Sequence, residues 1–445
     1  MFWWLVEENY LRPNLRQTVR GMRDLLPEEA WKLRFVEERA RWLANLYGYE
    51  EVITPVIEYY DLLAAKIGEE NRRRMYVFED LSGRKVALRP EFTASIARLV
   101  ATKMVSEPKP IRLFSVGSLY RYDEPQFGRY REFWQANYEL IGSGKPEADV
   151  EVLSLTNDLL GSLGLKNYVI KINHVGILRG ILGHEGVPEE TQNAIMQLLD
   201  KKDRDGALKL AEEHGVSDRC LKVLRGLLNI SGEDKNEVIK EISEIIKGYP
   251  NALSALNNFS EILDLIERGG LEIKFRFEAG FARGLEYYTG LIFEAYVPEL
   301  DIAIGGGGRY DRLIELFGGG SIPAVGVALG VDRIILAMEK QGVHLQKARE
   351  IRVLVIPVEE NNIADALRIS YMLRKNSIPS EVDVMRRGLS RSLSDASRRK
   401  ITHAIIVGPK ELTKGMVILR DMENKTQEES KIEDLPSKLR IYGSS

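Results

Sequence analysis

Two strand-forming runs, Ile111–Tyr120 and Glu132–Ile141, flank a charged loop that holds Arg121, Asp123, Glu124, Arg129 and Arg131. Runs rich in β-branched and aromatic residues, bounded in this way, specify a long hairpin. That hairpin limits the chain to folds built on a sheet. On its second strand, period-two alternation puts Phe133, Gln135, Glu139 and Ile141 on one face and Trp134, Tyr138 and Leu140 on the other. The second face is predicted to make the core contact. The first fits a solvent-facing polar stripe, and equally a substrate platform with its back buried.

Other segments extend this sheet. Tyr168–Asn173, Glu272–Phe277, Leu291–Val297 and Asp301–Ile304 are further strands, the last ending at a glycine run, and together they predict an antiparallel sheet. Ahead of the hairpin, Pro27 starts an amphipathic helix over Glu28–Tyr47, with Trp31, Phe35, Trp42, Leu43 and Leu46 as its apolar residues. From about Ile177 to Gly269 the segments are rich in Leu, Ile, Glu and Lys at helical spacing, which indicates a helical insertion. A helix runs from Arg333 toward Lys340, and the polar stretch Gln341–Glu350 links it to a second unit. There strand (Ile351–Ile356), helix (Asn362–Lys375), strand (Ser380–Val384), helix (Leu389–Lys400) and strand (Ala404–Val407) alternate as in a small α/β domain.

A chain of 445 residues with 44% apolar and 29% charged residues has the composition of an ordinary globular protein of two or three domains. Its net charge of -3 does not advertise a polyanion partner. Locally, however, Arg386–Lys414 carries eight Lys/Arg against two Asp/Glu, which fits a nucleic-acid face or a solvated helix. Cys220, the only cysteine, excludes an internal disulfide and suits a reducing compartment, so the cytoplasm is expected. Five scattered histidines offer no zinc cluster, and no metal-ligating residue is expected. The apolar opening Met1–Val6 breaks at Glu7-Glu8, too short for a secretion signal, and no stretch approaches the ~20 apolar residues of a membrane span.

Three further motifs carry candidate chemistry. Gly305–Gly308, followed by Arg309-Tyr310-Asp311, is either a turn or a place where backbone approaches a ligand, and it lacks the Lys-Ser/Thr of a P-loop. Arg283-Gly284-Leu285-Glu286-Tyr287-Tyr288-Thr289-Gly290 places a cation and paired phenols before an apolar strand. Those phenols are either core residues or hydrogen-bonding partners of a buried small ligand. Gly326–Arg333 is small and apolar and ends in Asp-Arg at a helix start, where Arg333 can reach an anion. The hairpin arginines suit nucleotide phosphates, though a plain surface hairpin looks similar.

In order and spacing these segments resemble the signature motifs of class II aminoacyl-tRNA synthetases, in the form used by the histidyl-tRNA synthetase family. Arg20–Asp24 with Leu26-Pro27 is similar to the family's entry segment, and Tyr49–Glu58 around Pro55 to motif 1, which lies at the dimer interface. Phe114–Gly142 resembles motif 2, Ala282–Gly290 the histidine motif and Ala324–Arg333 motif 3, so that the resemblance spans roughly residues 18–430.

The resemblance implies an α+β fold: a class II antiparallel sheet flanked by helices, with a helical insertion and a C-terminal α/β anticodon-binding domain. Its divisions would be 1–176 and 270–345 for the two parts of the catalytic domain, 177–269 for the insertion and 346–445 for the anticodon-binding domain. It implies a homodimer acting on L-histidine, ATP with Mg²⁺, and tRNA(His). Glu91 and Thr93 would bind the histidine amino group, Gln135 and Arg121 its carboxylate and the α-phosphate. Glu139 and Tyr288 would read the imidazole, with Arg283 and Tyr287 in the same pocket. Arg121, Arg129 and Arg333 would hold ATP, and Arg121 and Arg283 would be the catalytic cations. Two positions depart from the family pattern. Phe92 replaces the glycine of Pro-Glu-Gly-Thr and would narrow the amino-group end, and Glu286 replaces an aspartate. One rival is the histidine-sensing regulatory subunit of ATP phosphoribosyltransferase, which normally lacks the C-terminal domain. A second is a class II synthetase for another amino acid, against which Arg283–Tyr288 stands.

Overall fold

The structure is a computed structural model that describes residues 16–345 and 351–443; Met1–Val6 and positions 346–350 of the polar link lie outside them. The chain divides into two compact units, one ending at His344 and the other beginning at Leu345.

In the first unit the long strands are β1 (Ile111–Tyr120), β2 (Glu132–Ile141), β3 (Val169–His174), β4 (Phe275–Glu278), β5 (Leu291–Val297), β6 (Ile302–Arg309) and β7 (Ala324–Gly330). With two-residue strands at either edge they form one sheet, in the order Glu50–Glu51, β1, β2, β7, β6, β5, β3, β4, Ser231–Gly232. Pairing from β1 through to β3 is antiparallel, whereas β3 with β4 and Glu50–Glu51 with β1 are parallel. The hairpin forms over the two runs expected, with Ile111 opposite Ile141 and Tyr120 opposite Glu132.

The glycine run departs from its expected role as the end of a strand. Gly305–Gly308 lies inside β6, paired on one side with β5 and on the other with β7. Glycine weakens a strand when judged alone. Here a Cβ at Gly307 would overlap the Gly326 carbonyl, so this close pairing requires glycine.

Behind the sheet lies helix α1 (Pro27–Leu46), begun by Pro27 and closed at its start by the Leu26 N–H donating to Glu29 at 2.9 Å. Tyr138 and Leu140 are buried against this side as expected, and the Tyr138 hydroxyl donates to the Ala40 carbonyl at 2.9 Å. Trp134 is instead half-buried at the front. The buried face of α1 is Leu33, Val36, Ala40, Leu43 and Ala44, while Trp42 and Leu46 are 46% and 62% exposed. Helical spacing supports two apolar stripes on this helix. The one with small residues allows close approach to the sheet, and the bulky one faces out, where Arg39 lies 5.0 Å from the Trp42 ring.

Between β3 and β4 run six helices, among them α2 (Glu189–Asp200), and after β7 comes α3 (Val331–Lys340). The second unit is a five-stranded sheet in the order Ser380–Val382, Val353–Pro357, His403–Val407, Met416–Asp421, Gln427–Lys431. Its last two strands and the helix Leu435–Gly443 were not anticipated, and of these Gln427–Lys431 is too charged to stand out as strand.

Arg309, at the end of β6, is buried with Asp149 at 6% and 1% side-chain exposure. Its Nε donates to both Asp149 oxygens at 3.1 Å and its Nη1 to the Ser143 carbonyl at 2.9 Å. Breaking a buried pair by removing one partner strands the other, so Asp149→Ala should lose about 3–5 kcal/mol in urea denaturation. A loss below about 1 kcal/mol, the range of a surface pair, would show that Asp311 substitutes for it.

Candidate active site

The front of the sheet opens into a cleft of 880 Å³ that every residue expected in the site lines. Its floor is bare because two strand positions carry no side chain. A Cβ at Gly326, directly across from Glu139, would overlap that carboxylate, and one at Gly306 would overlap the Arg283 guanidinium.

At one end stands Glu139, 1% exposed, held by three donors. Thr93 Oγ1 and Asn137 Nδ2 donate to its Oε1 at 2.7 and 2.8 Å, and the Tyr310 hydroxyl donates to Oε2. Burial pushes the Glu139 pKa up to about 7, against these three hydrogen bonds, which favour the ionised form. Thr93 therefore sits beside Glu139. Neither Asn137 nor Tyr310 was singled out from the sequence. Asn137 shares the alternation of Gln135 and Glu139 and was legible on that ground; Tyr310 reaches the site only through the path of β6.

Next to this group the Tyr287 hydroxyl donates to Glu91 Oε2 at 3.2 Å, and the Tyr287 and Tyr288 rings lie 4.9 Å apart. Burial raises the Glu91 pKa, opposed by the charge of Arg121. Arg121 donates from Nε to the Pro90 carbonyl at 3.0 Å and lies 5.2 Å from the Phe133 ring. Burial lowers its pKa, and the Glu91 charge works the other way. Gln135 Oε1 is buried without a protein partner, an acceptor available to a ligand.

Toward the other end Arg333 donates to the Gly128 and Ala303 carbonyls at 3.1 and 2.7 Å. Its pKa is pushed down to about 10, by burial first and then by the charges of Arg129 and Arg121. Cations packed this closely make a site prepared for an anion. Arg283 Nη1 lies 3.4 Å from both the Phe293 carbonyl and Glu294 Oε1, and its Nε has no partner.

The two departures both point away from the cleft. Phe92 is 2% exposed, with the Arg89 guanidinium 4.5 Å from its ring, and does not line the cleft, so it does not narrow the pocket. Glu286 turns back to accept from Gln197 Nε2 at 3.0 Å. The entry segment lies against the hairpin loop, where the Arg131 N–H donates to the Gly21 carbonyl at 2.9 Å and Arg23 pairs with Asp332.

A mainly antiparallel sheet with its ionisable groups gathered on one face, a half-buried arginine closing the hairpin and a bare glycine floor define the catalytic domain of a class II aminoacyl-tRNA synthetase. Residues 21–334 match the model of the histidyl-tRNA synthetase family, and residues 352–441 that of an anticodon binding domain. The histidine–tRNA ligase of Sulfolobus acidocaldarius is 40% identical over 424 residues, covering 95% of this chain and 98% of its own. That of Methanocaldococcus jannaschii is 41% identical over 421 residues, covering 94% and 98%. The crystal structure of apo S. aureus histidyl-tRNA synthetase matches with a TM-score of 0.72 at 26% identity, over 95% of this chain and 99% of that one. The chain belongs to the histidyl-tRNA synthetase family.

With its pKa raised from 4.5 to about 7, Glu139 holds a proton in the native state that the unfolded state releases across that window. Stability of the ligand-free protein should therefore fall as pH rises from 4.5 to 7, by up to roughly 1.4 kcal/mol per pH unit from this group. Glu139→Gln should remove that part of the slope in urea midpoints taken between these limits. Equal slopes for both proteins would place the titration elsewhere.

Proposed function

We propose that the protein is a histidine–tRNA ligase, which activates L-histidine with ATP and transfers it to the 3′ end of tRNA(His). The observation that carries this reading is the pairing, in one cleft, of a buried carboxylate fixed by three donors with the half-buried cations Arg121, Arg283 and Arg333. Glu139 offers an imidazole N–H an acceptor that cannot turn away, and Tyr288 stands by for the second ring nitrogen. A site built to pair both nitrogens leaves buried groups unsatisfied by any other amino acid. Glu91 takes the amino group, while Gln135 and Arg121 face the carboxylate.

The histidine carboxylate attacks the ATP α-phosphorus and pyrophosphate leaves. The terminal hydroxyl of tRNA then attacks the adenylate carbonyl, and AMP leaves. Both steps need alignment and charge stabilisation more than a strong base. Arg283 and Arg121 meet the charge that develops at the α-phosphate, and Arg129 and Arg333 hold the outer phosphates. Mg²⁺ is expected to travel with ATP. Among the described residues no three His, Cys, Asp or Glu converge to hold a metal, and no step is assigned to Mg²⁺.

The C-terminal unit, with the basic run Arg386–Lys414, is assigned to the anticodon arm. Its presence, together with ligases as relatives, disfavours the regulatory-subunit reading. The lone, buried Cys220 fits a cytoplasmic location, and among the described residues no helix is long and apolar enough to cross a membrane.

ATP–pyrophosphate exchange should respond to histidine and to no other of the twenty amino acids. In that assay Arg283→Ala should cost about 10²–10³ in turnover while the protein stays folded, as removal of one preorganised charge does. Near-normal exchange by a folded Arg283→Ala protein would refute the role of this residue, and exchange with another amino acid would refute the function.

A homodimer is part of the same reading. Around the motif 1 segment Ile53 is 90% exposed, and Val56, Ile57, Tyr59 and Phe78 are exposed nearby, an apolar patch suited to a two-fold partner. Light scattering at micromolar concentration should give twice the chain mass, and Ile53→Asp should give the monomer. A monomeric parent protein would remove this assignment.

A further inference from the structure

Arg283 is weakly held for a residue asked to stabilise a transition state. Its two hydrogen bonds are 3.4 Å long and share one nitrogen, its Nε has no hydrogen-bond partner, and the Tyr288 ring lies 6.0 Å from its guanidinium. With hydrogen bonds this weak, its position depends strongly on the loop that carries it. That loop is anchored at both ends by different parts of the protein. At the tyrosine end the Thr289 N–H donates to the Arg309 carbonyl at 2.8 Å, and a Cβ on Gly290 would stand 2.9 Å from Arg309 Cδ. Arg309 is in turn fixed by Asp149.

At the arginine end the anchor is helix α2 of the insertion. Gln197 Nε2 donates to Glu286 Oε1 at 3.0 Å, while the Glu286 N–H donates to the Lys66 carbonyl at 3.2 Å. A Cβ on Gly284 would stand 2.8 Å from Asp200 Oδ2, so the last turn of α2 touches the loop at two successive points. The Lys66–Glu70 segment is bound to the same helix from the other side, through Lys66–Glu189 at 3.2 Å and Lys201–Glu70 at 2.6 Å. Gly68 in this segment has φ +85 and lies against the Gly284 carbonyl, closing the junction. A cavity of 10 Å³, about enough for one water, lies where α2, the helix Val175–His184 and the loop meet.

We propose that Gln197 and Glu286 are positioning residues for the activation step: their hydrogen bond makes the helical insertion the support that holds Arg283 against the α-phosphate. The inference rests on the proposed function, and in particular on Arg283. Neither residue of the pair lines the cleft. Because the tyrosine end of the loop has its own anchor on Arg309, loosening the arginine end changes turnover and leaves histidine binding in place.

Gln197→Glu sets two carboxylates against each other and breaks the anchor, whereas Gln197→Glu/Glu286→Gln restores the hydrogen bond with donor and acceptor exchanged. In histidine-dependent ATP–pyrophosphate exchange, Gln197→Glu should lower kcat about tenfold with the histidine KM within about twofold, and the exchanged pair should return to within about threefold of the parent. Thermal unfolding run on the same samples separates lost protein from lost turnover. Three results would overturn the inference: kcat unchanged in Gln197→Glu, a KM that rises as much as kcat falls, or no recovery in the exchanged pair while it remains folded. Arg283→Ala tests the underlying reading separately. If that variant is fully active the role of Arg283 fails, whereas if it is inactive and the exchange of partners has no effect, only the support role fails.

Discussion

Charge held out of water on the front of one sheet is the constraint on which this structure turns. Glu139 and Glu91 are removed from solvent, and Arg121 and Arg283 are half-buried beside them, where an unpaired charge costs several kcal/mol. The surroundings answer that cost group by group. Glu139 takes donors from Thr93, Asn137 and Tyr310, and Glu91 takes the Tyr287 hydroxyl and the field of Arg121. The satisfaction is incomplete where a ligand would complete it, at Gln135 Oε1 and Arg283 Nε.

Glycine makes this arrangement sterically possible. Gly326 and Gly306 leave room for a carboxylate and a guanidinium directly above the strands, and Gly307 lets β6 and β7 approach. The run weakens β6 as an isolated strand, and pairing on both sides offsets that weakness. The apolar back of the sheet, where Tyr138 packs on Phe114 and Tyr49, supplies the rigidity that the front cannot supply for itself.

The loop Arg283–Gly290 brings a cation and paired phenols together in the cleft, and its supports come from opposite directions. Arg309 with Asp149 holds the tyrosines, and the insertion holds the arginine. A segment inserted between two strands of the sheet thereby becomes part of the active site without contributing a ligand-binding residue from this pair.

Much of this was written in local sequence. Alternation along Glu132–Ile141 gave both the hairpin and the shared face of Gln135 and Glu139, because strand geometry fixes side-chain direction at every second residue. Motif order supplied the family and the residues that line the cleft. Local pattern was silent or misleading wherever two distant segments had to be compared. Spacing in α1 could not decide which of two apolar stripes faces the sheet, and glycine propensity argued against the central strand that Gly305–Gly308 occupies. Nothing near Tyr310 announced that its hydroxyl reaches Glu139, nor anything near Glu286 that it turns to Gln197. Periodicity and turn chemistry are properties of neighbours along the chain, so the sequence determined them by itself. Which buried charge meets which donor depends on strand order and register, and those were decided only when the whole sheet closed.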